Sequence, residues 1–378
     1  ALKAAGNEAD VQAKTGLLLD PYFSGSKIGW ALKNWPQLHE AGEHLAVGTI
    51  ESYLVYRLTG GKVHVSDASN ASRTALMAIG SGDWDDGLLS LFGVPRSILP
   101  EICDSAGQLG MTDASLFGAP IAITGMAGDQ QAALIGQSCL EPGQTKATFG
   151  TGAFVLTQTG RTLPKSTNRL LATVAWQLGG ERHYALEGSV FVAGSLIQWL
   201  RDDLGLIDAS PDTEPLARSV EDNGGVYLVP ALSGLGAPHW QPHARAAIHG
   251  LTFAAKKAHV ARAALEAMAH QTHDLKTAFA ADGADWAELR VDGGMVSNGW
   301  MVQDLADILA VEVERPDFVE TTALGAAMLA GVGAGLYGSL AEAAVMRGKV
   351  GRFSPAMDGV AREARLAGWK DALGRVLA

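Results

Sequence analysis

A short β-branched run, a glycine turn and a helical period recur along this chain, and that alternation limits its fold more than any other feature. Pro120-Ile121-Ala122-Ile123-Thr124 reads as a strand, Gly125 to Gly128 as a turn, and Gln130 to Ile135 as the start of a helix. Leu289-Arg290-Val291 again alternates as a strand and runs into Asp292-Gly293-Gly294. Met301, Leu305, Ile308 and Leu309 then fall at helical spacing, before Val311-Glu312-Val313 opens another strand. Such alternation predicts layered α/β architecture. Glycine turns between strand and helix are also where α/β folds hold phosphate, because bare backbone N–H groups converge there. Any one of these turns, taken singly, reads more simply as a tight connection.

Composition narrows the function. The 378 residues are 47% hydrophobic and 18% charged, which predicts two or three folded domains and excludes a disordered chain. Forty acidic against 29 basic side chains give a net charge of −11, which argues against a nucleic-acid or anionic-lipid partner. Cys103 and Cys139 cannot make a disulfide framework, and they read as buried, unreactive side chains. His239 and His243 are four apart, but Pro238 and Pro242 deny them a common helical face, so no protein metal site is assigned. Residues Thr321 to Ala341 carry no charge, yet Gly325, Gly331, Gly333, Gly335 and Gly338 suit close helix packing in a core better than lipid contact. Ala1 to Lys14 lack the apolar stretch of a signal peptide, and the expected compartment is the cytoplasm. Glu141-Pro142-Gly143 breaks the chain after the helix at 130–137, which divides it into residues 1–138 and 139–378. The segment Asp83 to Pro100 reads as a short helix between loops.

Familiar phosphate motifs are missing or misplaced. Gly333-Ala334-Gly335-Leu336-Tyr337-Gly338 has the spacing GxGxxG but follows a helical run instead of a strand. No GxxxxGK[ST] loop or GxSxG elbow occurs. Three glycine turns carry the chemistry instead. Gly128-Asp129-Gln130-Gln131 sets an acid between a strand end and a helix start; Asp129 is there either a helix cap or a carboxylate at a ligand-binding sheet edge. Phe149-Gly150-Thr151-Gly152 offers backbone N–H groups and a hydroxyl to a phosphate. Asp292-Gly293-Gly294, followed by Asn298, offers close backbone approach and an amide.

Longer segments bear a resemblance. Asp20 to Lys27 with Trp30, and Ala246 to Glu266 with Ile248, Gly250-Leu251, His259-Val260 and Leu265-Glu266, resemble the two signatures of the FGGY family of sugar and polyol kinases. Asp67 to Thr74, Ala127 to Leu134, Ser233 to Trp240, Glu314-Arg315-Pro316 and Glu320 to Ala327 resemble the members that act on glycerol. The resemblance implies a two-domain α/β fold of the actin and hexokinase (ribonuclease H-like) type, nucleotide in the interdomain cleft. It implies ATP with Mg²⁺, glycerol as substrate, sn-glycerol 3-phosphate as product, and a homo-oligomer, dimer or tetramer, outside the membrane.

By the same resemblance Asp129 is the catalytic base, Tyr22 and Gln130 contact glycerol hydroxyls, and Phe154 packs on the glycerol carbons. Thr151 lies in the loop for the outer phosphates, and Gly194, Gln198, Gly294 and Asn298 lie beside the nucleotide. Family members carry a further segment ahead of the part matched here, with a phosphate loop and more glycerol contacts, so the first domain is expected to be incomplete. Two other readings stand beside this one: a family kinase for xylulose or gluconate, and a truncated chain that binds nucleotide without turnover. Where some relatives bind fructose bisphosphate through a loop ending in Arg, this chain reads Leu116-Phe117-Gly118-Ala119-Pro120 and offers no cation.

Overall fold

Seven strands form the main sheet of the computed structural model, which describes residues 2–378; residue 1 of the expected first domain lies outside it. They are β1 (Thr145–Phe149), β2 (Ala153–Gly160), β3 (Leu171–Leu178), β4 (Glu181–Val190), β5 (Glu288–Asp292), β6 (Glu312–Pro316) and β7 (Val350–Phe353). Their spatial order is β7-β6-β5-β1-β2-β4-β3. β5 runs parallel to β1 and β6, and every other pairing is antiparallel. The helices used below are α1 (Asp129–Gly136), α2 (Gly194–Asp202), α3 (Lys257–Ala281), α4 (Gly299–Leu309), α5 (Thr321–Gly333) and α6 (Gly359–Leu377).

The two-residue period of the strands sorts their side chains onto two faces. Ala147, Phe149, Val155, Leu186, Leu289 and Val291 join Met268 and Leu275 of α3 and Leu305 and Ile308 of α4 in the largest core cluster. Leu156, Trp176 and Ala185 pack instead with Leu134 and Ile135 of α1 and Met328 and Leu329 of α5. The second face also carries Lys146, Thr148, Glu187 and Ser189, polar side chains beside that apolar cluster.

Sequence expectations for these elements hold with shifted bounds. The strand expected at 120–124 is Ala122–Gly125, paired antiparallel with Ala106–Met111, and the helix expected after it is α1. Met301, Leu305, Ile308 and Leu309 are all buried on α4, and the strand expected from Val311 begins at Glu312. In the 83–100 segment a helix spans Asp86–Phe92, capped by the Asp85 carboxylate, which accepts from Leu88 N, and ended by Gly93 at φ 68°. Earlier residues pair only in short pieces, such as Val65–Asp67 parallel to Glu101–Cys103.

The charge-free stretch 321–341 is not one long helix. α5 has 13 residues, and no helix among the described residues is long and apolar enough to cross a membrane. Its glycines allow backbone-to-backbone contact: a Cβ on Gly325 would lie 1.8 Å from the Ala132 carbonyl oxygen of α1, and one on Gly333 1.9 Å from that of Thr124. On the α1 side a Cβ on Gly136 would lie 2.0 Å from the Thr321 oxygen. Gly325→Val is therefore expected to cost about 3 kcal/mol, near the upper end for overpacking, because backbone must move to admit it. Gly374→Ala on α6, where nothing lies within 4 Å, is expected to be neutral or to stabilise by up to about 1 kcal/mol. Urea unfolding of the two variants checks the contrast.

Candidate active site

The N-terminus of α1 points out of the core at one end of the main sheet. Gly128 is its cap residue and donates its N–H to Ser69 Oγ at 2.9 Å, which leaves Asp129 as the first helical residue. Asp129 is thus not the cap. Its exposed carboxylate accepts from its neighbour's backbone, Gln130 N to Oδ1 at 2.8 Å, and sits where the helix dipole favours an anion. The Gln130 side chain extends the arrangement inward: Nε2 donates to Asp129 Oδ2 at 3.4 Å, and Oε1 accepts from Lys146 Nζ.

Tyr22 stands across from this terminus. Its ring is half exposed, but burial of the hydroxyl raises its pKa; the charges of Glu187 and Asp129 add to that and Arg73 partly offsets it. Tyr22, Arg73, Glu187 and Asp129 therefore share one neighbourhood. Arg73 donates to the buried carboxylate of Glu187 at 2.7 Å and lies over the Phe23 ring at 5.5 Å. Phe154 on β2 is in register with Thr148 of β1 and Ser189 of β4, on the face that carries Lys146 and Glu187. The four residues assigned to substrate from sequence are thus placed around the α1 terminus and the sheet face beneath it.

The nucleotide assignments come together in a cavity of about 320 Å³, whose lining includes Thr151, Gly194, Gln198, Gly294 and Asn298. Its wall is built from glycine turns in backbone contact. The turn Gly150-Thr151-Gly152 between β1 and β2 is stitched to the start of α2, with Gly194 N donating to Gly150 O at 2.8 Å and Ser195 N to Thr151 O at 3.1 Å. Gly293, at φ 91°, brings the third turn so close that a Cβ there would lie 2.5 Å from Phe149 O. Asn298 is spent on structure: its Oδ1 caps α4 by accepting from Met301 N at 3.0 Å, and its Nδ2 donates to Thr213 Oγ1 at 3.3 Å.

Sequence reasoning missed several neighbours. Ser210, Pro211, Thr213 and Glu214 line the same cavity from a segment with no motif to mark it. Lys146 and Glu187 are buried charges inside strands, and a lone charge at an inward position of an apolar run was their only signal. Asp292 is also buried, accepting from Gln137 Nε2 at 2.9 Å and Thr321 Oγ1 at 2.7 Å, so the third turn is tied to both α1 and α5.

Two comparisons decide the family. The FGGY family of carbohydrate kinases, N-terminal domain, matches residues 1–136, and the C-terminal domain of the same family matches 145–334. The chain belongs to the FGGY family of carbohydrate kinases. Among FGGY relatives it is 55% identical to a glycerol kinase of Rhodospirillum centenum, over 99% of this chain and 76% of that protein. It is likewise 55% identical to a glycerol kinase of Methylobacterium nodulans, over 100% of this chain and 76% of the relative. A crystal structure of Plasmodium falciparum glycerol kinase with ADP superimposes with a TM-score of 0.92 at 36% identity, covering 100% of this chain and 76% of that one. The mixed α/β, two-domain FGGY kinase fold implied by the sequence is the fold observed.

Neither cysteine belongs to the site. Burial, reinforced at Cys103 by the charge of Asp67, pushes both thiols up to about 12. At pH 8 the folded chain is expected to show no fast reaction with Ellman's reagent, and two thiols per chain after unfolding; a fast native phase would contradict the burial argument.

Proposed function

We propose that this chain transfers the γ-phosphoryl group of ATP to glycerol, with Asp129 as general base. The observation that carries the reading is the exposed Asp129 carboxylate at the first position of α1, in a chain whose glycine turns wall a cavity. The kinase family implies use of ATP, and the relatives matched over the whole chain are glycerol kinases.

In this reading the nucleotide lies in the cavity with its outer phosphates against Thr151 and the backbone N–H groups of its turn. Gly194, Gln198, Gly294 and Asn298 flank it. Residues 1–138 form the substrate side and 139–378 the nucleotide side. Mg²⁺ enters in this reading with the nucleotide, because the ion keeps several waters and binds through substrate phosphates more readily than in a dedicated protein cage. When bound, the ion would neutralise charge on the β- and γ-oxygens.

Asp129 accepts the proton of the attacking hydroxyl, and the O–P bond to glycerol forms as the bond to ADP breaks. The positive end of the α1 dipole lies beside this carboxylate. Tyr22 and Gln130 orient the hydroxyls, while the Phe154 ring gives the carbon skeleton one apolar wall. Phosphoryl transfer asks mainly for such orientation, since its loose transition state needs little covalent help from the protein.

ADP release from ATP and Mg²⁺, measured with glycerol, dihydroxyacetone, xylulose and gluconate, tests the reading. Turnover is expected to prefer glycerol and to fall about 10²- to 10⁴-fold in Asp129→Asn, the range for loss of a general base. Preference for xylulose or gluconate, or full turnover in the variant, would overturn it. Gly194→Val tests the cavity separately. Its side chain starts 2.6 Å from Gly150 O, so ADP binding measured by calorimetry is expected to weaken about tenfold or more, the turn being forced off the phosphates.

A further inference from the structure

Directly behind the proposed base lies a lysine that no solvent reaches. Lys146 is completely buried in β1, in register with Leu156 of β2, which in turn pairs with Glu187 of β4. A buried ammonium is expensive, and an apolar side chain of similar size would pack here at lower cost. Burial accordingly pushes its pKa down, against the opposing charges of Asp292, Glu187 and Asp129. Its hydrogen bonds go to neutral oxygens instead of these carboxylates: Gln130 Oε1 and Thr148 Oγ1, the latter at 2.9 Å.

The chemistry of these partners has a directional consequence. An ammonium only donates, so the end of the Gln130 amide that meets it must be the carbonyl oxygen. The NH₂ end then faces the other way, toward Asp129 Oδ2 at 3.4 Å. Lys146 and Asp129 select the same orientation from opposite ends, since the flipped amide would set its NH₂ against the ammonium and its carbonyl against the carboxylate; the lysine, fixed in a strand, is the buried and rigid one of the two.

We propose that Lys146 is a positioning residue for phosphoryl transfer: it locks the Gln130 side-chain amide so that N–H, not C=O, is presented to Asp129 and the substrate hydroxyl. The proposal rests on the reading of Asp129 as the base. Tyr22, Arg73 and Glu187 face the same pocket from the other elements, and none of them contacts the Gln130 carbonyl.

Lys146→Met, Gln130→Ala and the double variant are compared for kcat, KM and melting temperature. K146M is expected to lower kcat about ten- to a hundredfold, the cost of a misoriented group, with KM for ATP unchanged. Its melting temperature is expected at or above that of the unsubstituted chain, since the buried charge is gone. In the Q130A background the same change is expected to add nothing, because the lysine acts through the glutamine. Multiplying effects in the double variant, or an unchanged kcat in K146M, would overturn the proposal. Lys146→Gln serves if K146M does not fold; it keeps a hydrogen-bonding group but can present either end, so kcat should still fall.

A second readout needs no turnover. The ¹⁵N side-chain amide signals of Gln130, identified by their loss in Q130A, are expected to shift in K146M toward the values of a free amide. Gln130 signals unmoved by K146M would overturn the positioning role even in a chain that phosphorylates no polyol, and the absence of polyol turnover would by itself count only against the functional reading.

Discussion

Backbone meets backbone where α1 crosses α5, and the geometry of the site depends on that contact. Gly136 and Gly325 leave no room for a Cβ, so the two helices are held in one register by atoms that cannot change rotamer. α1 carries Asp129 at its free end, and α5 packs on both α1 and the Ala122–Gly125 strand that leads into it. The proposed base is therefore carried by a rigid element, held from the C-terminal half of the chain. Rigidity matters because phosphoryl transfer gains mostly from pre-set orientation, and a carboxylate on a loop would lose part of that gain.

Buried charge is arranged around this scaffold with differing purpose. The Arg73–Glu187 pair joins the 67–74 segment to β4 beneath the proposed substrate pocket. Glu314 of the Glu314-Arg315-Pro316 motif serves the sheet: burial pushes its carboxyl up, but Arg347, Arg290 and Arg352 outweigh that and hold it below the usual range. Its folded pKa being lowered, the stability it contributes is present above the ordinary carboxylate range and is lost as pH falls through the folded value. Arg315 donates to Val296 O at 2.7 Å and so steadies the third glycine turn. A motif that points to a family by sequence thus acts in the structure as a brace for the third glycine turn.

Much of the site was legible before any coordinates. The glycine turns at 128, 150 and 293 stand out because phosphate binding and close backbone approach both require the absence of a side chain, and that requirement is local. Asp129 drew attention through its place between strand and helix, yet taken alone its surroundings in the sequence read more readily as a cap. Lys146, Glu187 and Glu214 gave no comparable signal. Their importance comes from what faces them across the sheet or the cavity, and a linear pattern does not show which face of a strand carries the site.

The sequence by itself determined the alternation of strands and helices, the family, and the small residues that permit close packing, because periodicity, motif and side-chain size are properties of neighbours along the chain. Tertiary structure alone decided that Gly128, not Asp129, caps α1, that the Asn298 amide caps α4 and holds Thr213, and that a lysine 16 positions on in the strand meets the Gln130 carbonyl. Each of these is settled by hydrogen bonds between groups brought together by folding, and a donor's choice among acceptors exists only once the chain has placed them within about 3 Å of one another.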